Sequence, residues 1–165
     1  MFIIHSINGL TMKKFLIAIL FLSVSYSAKS DIGFGLMFGD PTAVTIKSRS
    51  GGANDLIFNL GFKSHYGSLR LDGIYTFNFP NVINHRNFSL YAGIGASLGL
   101  GDGDGFFNES RKNDQDLSIG AKGLFGLNFT PSDQFEIFLE VGPLVSLTPG
   151  IYGDMEGSLG FRFYP

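Results

Sequence analysis

From Asp31 onward, large apolar residues alternate with small or polar ones at a period of two, and no segment keeps a 3.6-residue repeat. In residues 134–148, Phe135, Ile137, Leu139, Val141, Val145 and Leu147 share one face, and Glu136, Phe138, Glu140, Gly142, Leu144 and Ser146 share the other. The same sorting sets Leu117, Ile119, Phe125, Leu127 and Phe129 against Ser118, Gly120, Lys122, Gly126 and Asn128. It also sets Phe88, Leu90, Ile94, Leu98 and Leu100 against Ser89, Tyr91, Gly93, Gly95, Ser97 and Gly99. The pattern predicts eight strands, at 31–39, 42–50, 54–63, 66–78, 87–101, 115–130, 134–148 and 152–164. Asp40-Pro41, Ser50-Gly51-Gly52, TPSDQ at 130–134 and TPG at 148–150 separate them with turn-forming residues. Hairpin follows hairpin, so the expected architecture is all-β: an antiparallel up-and-down barrel, whose closure removes exposed edges.

Alternation alone leaves open which face is inside. A soluble, lipocalin-like ligand-binding barrel would turn the apolar face inward, and a membrane barrel would turn it outward. Volume separates the two. Each apolar face carries roughly four to six large side chains, whereas eight strands enclose an interior just wide enough to be filled by side chains. The Gly- and Ser-rich face fits that interior, and the apolar face then forms an uncharged outer belt of the kind lipid requires. The expectation is a transmembrane β-barrel over residues 31–165.

Composition narrows the reading further. Of all residues 44% are hydrophobic and 16% charged, low in charge for a chain dissolved in water. Twelve basic residues against fourteen acidic ones give no electrostatic footprint for nucleic acid. Absence of cysteine removes disulfides, thiolate metal sites, cysteine nucleophiles and a lipid-modified cysteine. MKKFLIAILFLSVSYSAKS, from Met12, has two lysines, a short apolar run and small residues near Ala28, as a secretory signal peptide does. Residues 1–30 are therefore read as an N-terminal extension and signal, with translation starting at Met12 and cleavage between Ser27 and Asp31. A signal followed by a membrane barrel implies the outer membrane of a double-membraned bacterium.

Three segments carry a resemblance. GLMFGDPTAVTIK at 35–47 resembles the first hairpin of a family of small outer-membrane β-barrels from spirochaetes and other diderm bacteria. FLEVGPLVSLTPG at 138–150 and GSLGFRFYP at 157–165 are similar to that family's last two strands. The architecture is also similar to OmpA-type and OmpX-type barrels. The resemblance implies an integral outer-membrane protein with periplasmic termini, short periplasmic turns and surface loops, inserted by the barrel-assembly machinery. Phe161 and Phe163 fit the aromatic assembly signal of such barrels, with Tyr164 and Pro165 following.

Several constellations bear on chemistry. Lys47, Lys63, Arg70, Lys122 and Arg162 fall on the inward face with Asp72, Glu136, Glu140 and Glu156. Unpaired buried ions cost several kcal/mol, roughly, so these are expected to pair into a structural network plugging the lumen. The four-residue spacing of Glu136 and Glu140 suits a helix face, yet it also keeps both on one side of a strand, and Gly142-Pro143 would interrupt a helix. His65 and Ser68 are the nearest approach to a nucleophile and base, as in lipid A deacylases built on outer-membrane barrels. Three residues apart, they face opposite sides of a regular strand, so a non-enzymatic chain with no cofactor is expected. GDGDGFFNESRKNDQD at 101–116 is the longest polar insertion. Its Asp102 and Asp104 lack the distal glutamate and flanking helices of a calcium loop, and no metal site is assigned. Phe106, Phe107, Arg111 and Lys112 in this loop are candidate contacts for an extracellular or host protein ligand.

Overall fold

The computed structural model describes residues 31–51, 53–64, 67–80, 82–100, 117–148 and 151–165. The alternating segments form eight strands: β1 (Ile32–Gly39), β2 (Thr42–Arg49), β3 (Asn54–Ser64), β4 (Gly67–Phe79), β5 (Phe88–Leu100), β6 (Leu117–Ser132), β7 (Phe135–Thr148) and β8 (Tyr152–Phe163). Each pairs antiparallel with its neighbours in sequence, and β8 closes on β1. The chain is all-β, a closed eight-stranded antiparallel barrel.

Most strand limits lie within two residues of the alternation. A two-residue extension falls at TPSDQ, expected as a turn after a strand ending at Thr130: Pro131 and Ser132 also belong to β6, which passes a register irregularity between Phe129 and Ser132. Pro131 has no N–H to give to the ladder, so a proline is accommodated there without losing a regular bond. The turn itself reduces to Asp133 and Gln134.

Register fixes the barrel's dimensions. The partners Gly35, Thr45, Asn59, Asp72, Ser97, Gly120, Ser146 and Tyr152 make one circuit, whereas Gly35 is bonded directly to Arg162 on β8. The stagger is the difference, 162 − 152 = 10 residues. With strands about 4.8 Å apart and about 3.3 Å rise per residue, that stagger gives a tilt of about 40° and a backbone radius of about 8 Å. Such a lumen holds side chains and little else.

The pleat then divides the residues as the alternation expects. Phe34, Phe58, Ile94, Phe125, Leu139 and Leu159 are among the large apolar side chains exposed on the outer wall. Lys47, Asp72, Lys122, Glu136 and Arg162 are buried in the lumen. Two aromatic side chains lie across glycines of the next strand. Tyr91 covers Gly126, and Phe138 reaches Gly160; a Cβ on Gly126 would fall inside the Tyr91 ring, and one on Gly160 would strike the edge of the Phe138 ring and the Leu36 carbonyl. Those glycines give up side chains so that large inward residues fit within a narrow radius.

Candidate functional site: the charged lumen

Inward positions along each strand order the lumen into layers. From the end carrying Asp31 and Tyr164, β7 presents Glu136, Phe138 and Glu140, while β8 presents Arg162, Gly160, Ser158 and Glu156. β4 presents Thr76, Ile74, Asp72 and Arg70 in the same sense. A polar layer near the termini is thus followed by an apolar one and then by a second polar layer near the odd-numbered connections.

Glu136 is the hub of the first layer. Arg162 Nη1 donates to its Oε1 at 2.8 Å, and Arg49 Nη2 donates to its Oε2 at 3.0 Å. Lys47 Nζ lies 3.3 Å from Oε2, and the Tyr164 hydroxyl donates to Oε2 at 3.2 Å. Arg162 also reaches Glu140 Oε1 at 3.0 Å and donates from Nε to Thr45 Oγ1 at 3.1 Å. The Tyr91 hydroxyl donates to Glu140 Oε1 at 2.6 Å. Lys47 contacts Asp55 Oδ2 at 3.4 Å, and Asn78 Nδ2 donates to the same oxygen at 2.8 Å. The guanidinium of Arg162 stacks 3.7 Å over Phe138, and that of Arg49 3.4 Å over Tyr164. Three cations, Lys47, Arg49 and Arg162, meet three carboxylates, Asp55, Glu136 and Glu140.

The second polar layer is a four-membered ring. Arg70 donates from Nε to Asp72 Oδ1 at 2.7 Å and from Nη2 to Glu156 Oε2 at 2.9 Å. A second guanidinium nitrogen of Arg70 also bonds Glu156. Lys122 Nζ bridges Asp72 Oδ2 at 3.2 Å and Glu156 Oε2 at 2.9 Å. Two cations face two carboxylates, so among the described residues the charges named in each layer balance.

Between the layers lie Ile57, Ile74, Leu124, Met37, Ala43 and Phe138, all buried. Charged interaction is strong in this low-dielectric setting, and the pairing of opposite charges within each layer is what makes the burial of nine ions, with Arg49 partly exposed beside them, tolerable. Glu140 Oε2 accepts no hydrogen bond from the described residues. Glu140 lines a cavity the size of about one water molecule together with Asp40, Lys122, Glu156 and Ser158. Asn59, also buried, makes no side-chain hydrogen bond to the described residues.

Of the expected network residues, Lys47, Arg70, Asp72, Lys122, Glu136, Glu140, Glu156 and Arg162 lie in the lumen, and each joins an ion pair. They fall into two separate groups instead of a continuous plug. The side chain of Lys63 lies outside the described residues, as do His65, Asp102, Asp104, Phe106, Phe107, Arg111, Lys112 and residues 1–30. Thr45, Asn78 and four more participants escape the sequence reading. Arg49 and Asp55 sit at strand ends flanked by Ser, Gly and Asn, where a charge ordinarily meets solvent; here Arg49 is 26% exposed and turns inward. Tyr91 stands on the inward face without an obvious partner, and its partner, Glu140, is 49 residues away. Tyr164 follows β8 but is anchored by its N–H to the Gln134 carbonyl at 2.8 Å, which folds the ring over Gly33. Burial, with the Glu136 carboxylate beside it, pushes the Tyr164 phenol above its ordinary range, so it remains a protonated donor.

No grouping of His, Asp and Glu among the described residues has the arrangement of a metal site. No helix among them is long and apolar enough to cross a membrane, which says nothing of crossing by strands. Comparison with protein-family models, with curated proteins and with solved structures finds no match for this chain.

Proposed function

We propose that this chain is an integral outer-membrane β-barrel protein with a closed lumen, non-enzymatic, serving envelope structure or surface interaction through the loops at its odd-numbered connections. One observation carries the reading: the barrel is inside out. Charged side chains are paired within, and every outward position of known exposure in the eight strands is uncharged, most being large and apolar. A water-facing belt of that kind would drive aggregation, whereas lipid stabilises it. A lipocalin-like reading needs an apolar cavity for its ligand; the lumen instead holds two ion-pair layers around a packed apolar one.

The signal-like segment and the likeness of residues 35–47, 138–150 and 157–165 to small outer-membrane barrels support the same assignment, with periplasmic termini and insertion by the barrel-assembly machinery. Residues 101–116 join β5 to β6 at the end opposite the termini, so in this orientation they face outward, and Phe106, Phe107, Arg111 and Lys112 are the contacts offered to a protein ligand. Extraction from native membranes tests the location. The protein stays with the membrane in high salt and is released by detergent; release by salt alone would favour the soluble barrel. Deleting residues 103–113 tests the surface role, which is lost as an idea if ligand capture by intact cells is unchanged.

A further inference from the structure

The outer belt is uneven in height, and the unevenness has a direction. β5, β6 and β7 each offer seven outward positions, from Phe88 to Leu100, Leu117 to Phe129 and Phe135 to Leu147. β1 offers four, Ile32, Phe34, Leu36 and Phe38, and β2 has only Val44 and Ile46 between Thr42 and Ser48. At a tilt of about 40°, seven positions span about 30 Å of barrel height and four span about 15 Å. A membrane barrel's apolar band is about 25 Å tall. The β5–β7 wall meets that height, β1 falls short of it by about 10 Å, and β2 by more.

On β1 the shortfall lies at the end of the odd-numbered connections; β2, which sets Ser48 opposite Ile32, falls short at the other end as well. Register and stagger bring Ile32, Phe79, Phe88, Phe129, Phe135 and Phe163 within about 5 Å of one height, a level lower rim on six of the eight strands, with Ser48 and Asn54 at that end of β2 and β3. Phe38, by contrast, stands about 12–15 Å below Leu100, Leu117 and Leu147 at the other rim. A second observation marks the same place. β1 pairs with β8 only as far as Gly39 opposite Ser158, and the Asp40 N–H donates to the Gly157 carbonyl at 3.0 Å. Beyond that point β8 runs on from Glu156 to Tyr152 with no strand partner on its β1 side among the described residues, the Met155 N–H donating instead to Asp154 Oδ1 at 2.8 Å. Unpaired backbone groups are not tolerated in hydrocarbon, so water or lipid headgroups must reach this edge.

Building on the membrane reading, we propose that the β1–β2 wall pinches the bilayer: headgroups and water of the leaflet at the odd-numbered connections descend to Asp40, Thr42 and the free edge of β8, while the β5–β7 wall meets full thickness. The partner of this surface is the lipid itself, thinned on one side. Mismatch of this size is relieved by thinning or by tilting the protein, each at a modest cost per ångström, and the level lower rim favours thinning.

Because the chain has no cysteine, single labelling sites are clean. Phe38→Cys and Val141→Cys replace exposed outward residues at nearly one height, within about 2 Å. With nitroxides on each, in phosphatidylcholine vesicles, collision with oxygen and with an aqueous nickel chelate reports depth. The Phe38 label is expected to be about 5–8 Å shallower than the Val141 label, with labels on Ile32→Cys and Phe129→Cys at equal depth on the lower rim. Equal depths for Phe38 and Val141 would overturn the proposal and leave the membrane reading intact. Unequal depths at the lower rim would replace pinching by a tilted barrel. Nickel-accessible labels at both Phe38 and Val141, without oxygen enrichment, would overturn the membrane reading and this proposal together.

Discussion

Glu136 concentrates more of the lumen's electrostatics than any neighbour, since Lys47, Arg49, Arg162 and Tyr164 all converge on its two oxygens. Removing one partner of a buried ion pair costs about 3–5 kcal/mol, because the remaining charges stay desolvated. Glu136→Ala is therefore expected to lower the barrel's unfolding midpoint in urea, measured in detergent micelles, by that amount. An unchanged midpoint would mean that the network contributes nothing to stability. A different mechanism operates at Gly126, where the Tyr91 ring occupies the space of a Cβ. Gly126→Ala forces the ring aside and away from Glu140; overpacking of this kind costs about 1–3 kcal/mol, read as earlier loss of the compact, heat-resistant band on unheated gels. The carboxylates at 136 and 140 were legible in the sequence because two charges interrupt an apolar segment at a spacing that alternation assigns to one face. Arg49 and Tyr164 were not: each lies where the strand pattern stops, and its inward course depends on partners from β7.

Strands were the most legible level, since period-two alternation with glycine-rich inner faces has no helical counterpart here. Misreading was confined to the places where pairing is irregular. TPSDQ has the composition of a turn, yet an irregular register lets Pro131 and Ser132 extend β6 and tightens the connection to two residues. The inequality between β1–β2 and β5–β7 was also visible in strand lengths, but its meaning depended on register, which converts residue counts into height. At this scale the belt makes its own prediction. Leu139 lies outward near mid-height on β7, and Val82 lies in the turn after β4. An arginine at the bilayer midplane costs about 2–4 kcal/mol and one at the interface about 0–1. Leu139→Arg should thus destabilise the vesicle-folded barrel far more than Val82→Arg, with unfolding in guanidinium as the readout. Equal effects would place Leu139 outside the hydrocarbon.

For the whole molecule, eight strands with a ten-residue stagger leave a radius of about 8 Å, and that radius decides which face is inside. Lumenal space suffices for two ion-pair layers and an apolar layer between them, so the remaining apolar side chains have only the exterior. Closure and facing follow from alternation and volume together. The division into two polar layers does not, because it depends on which inward charges share a height on different strands. The most direct test of the inside-out barrel is a scan of single cysteines along β7, from Phe135 to Leu147, each carrying a nitroxide in the vesicle-folded protein. Outward positions 137, 139, 141 and 145 are expected to collide readily with oxygen and poorly with aqueous nickel chelate, while inward positions 138, 140, 142 and 144 are shielded from both. Outward labels freely accessible to the nickel chelate would contradict the account.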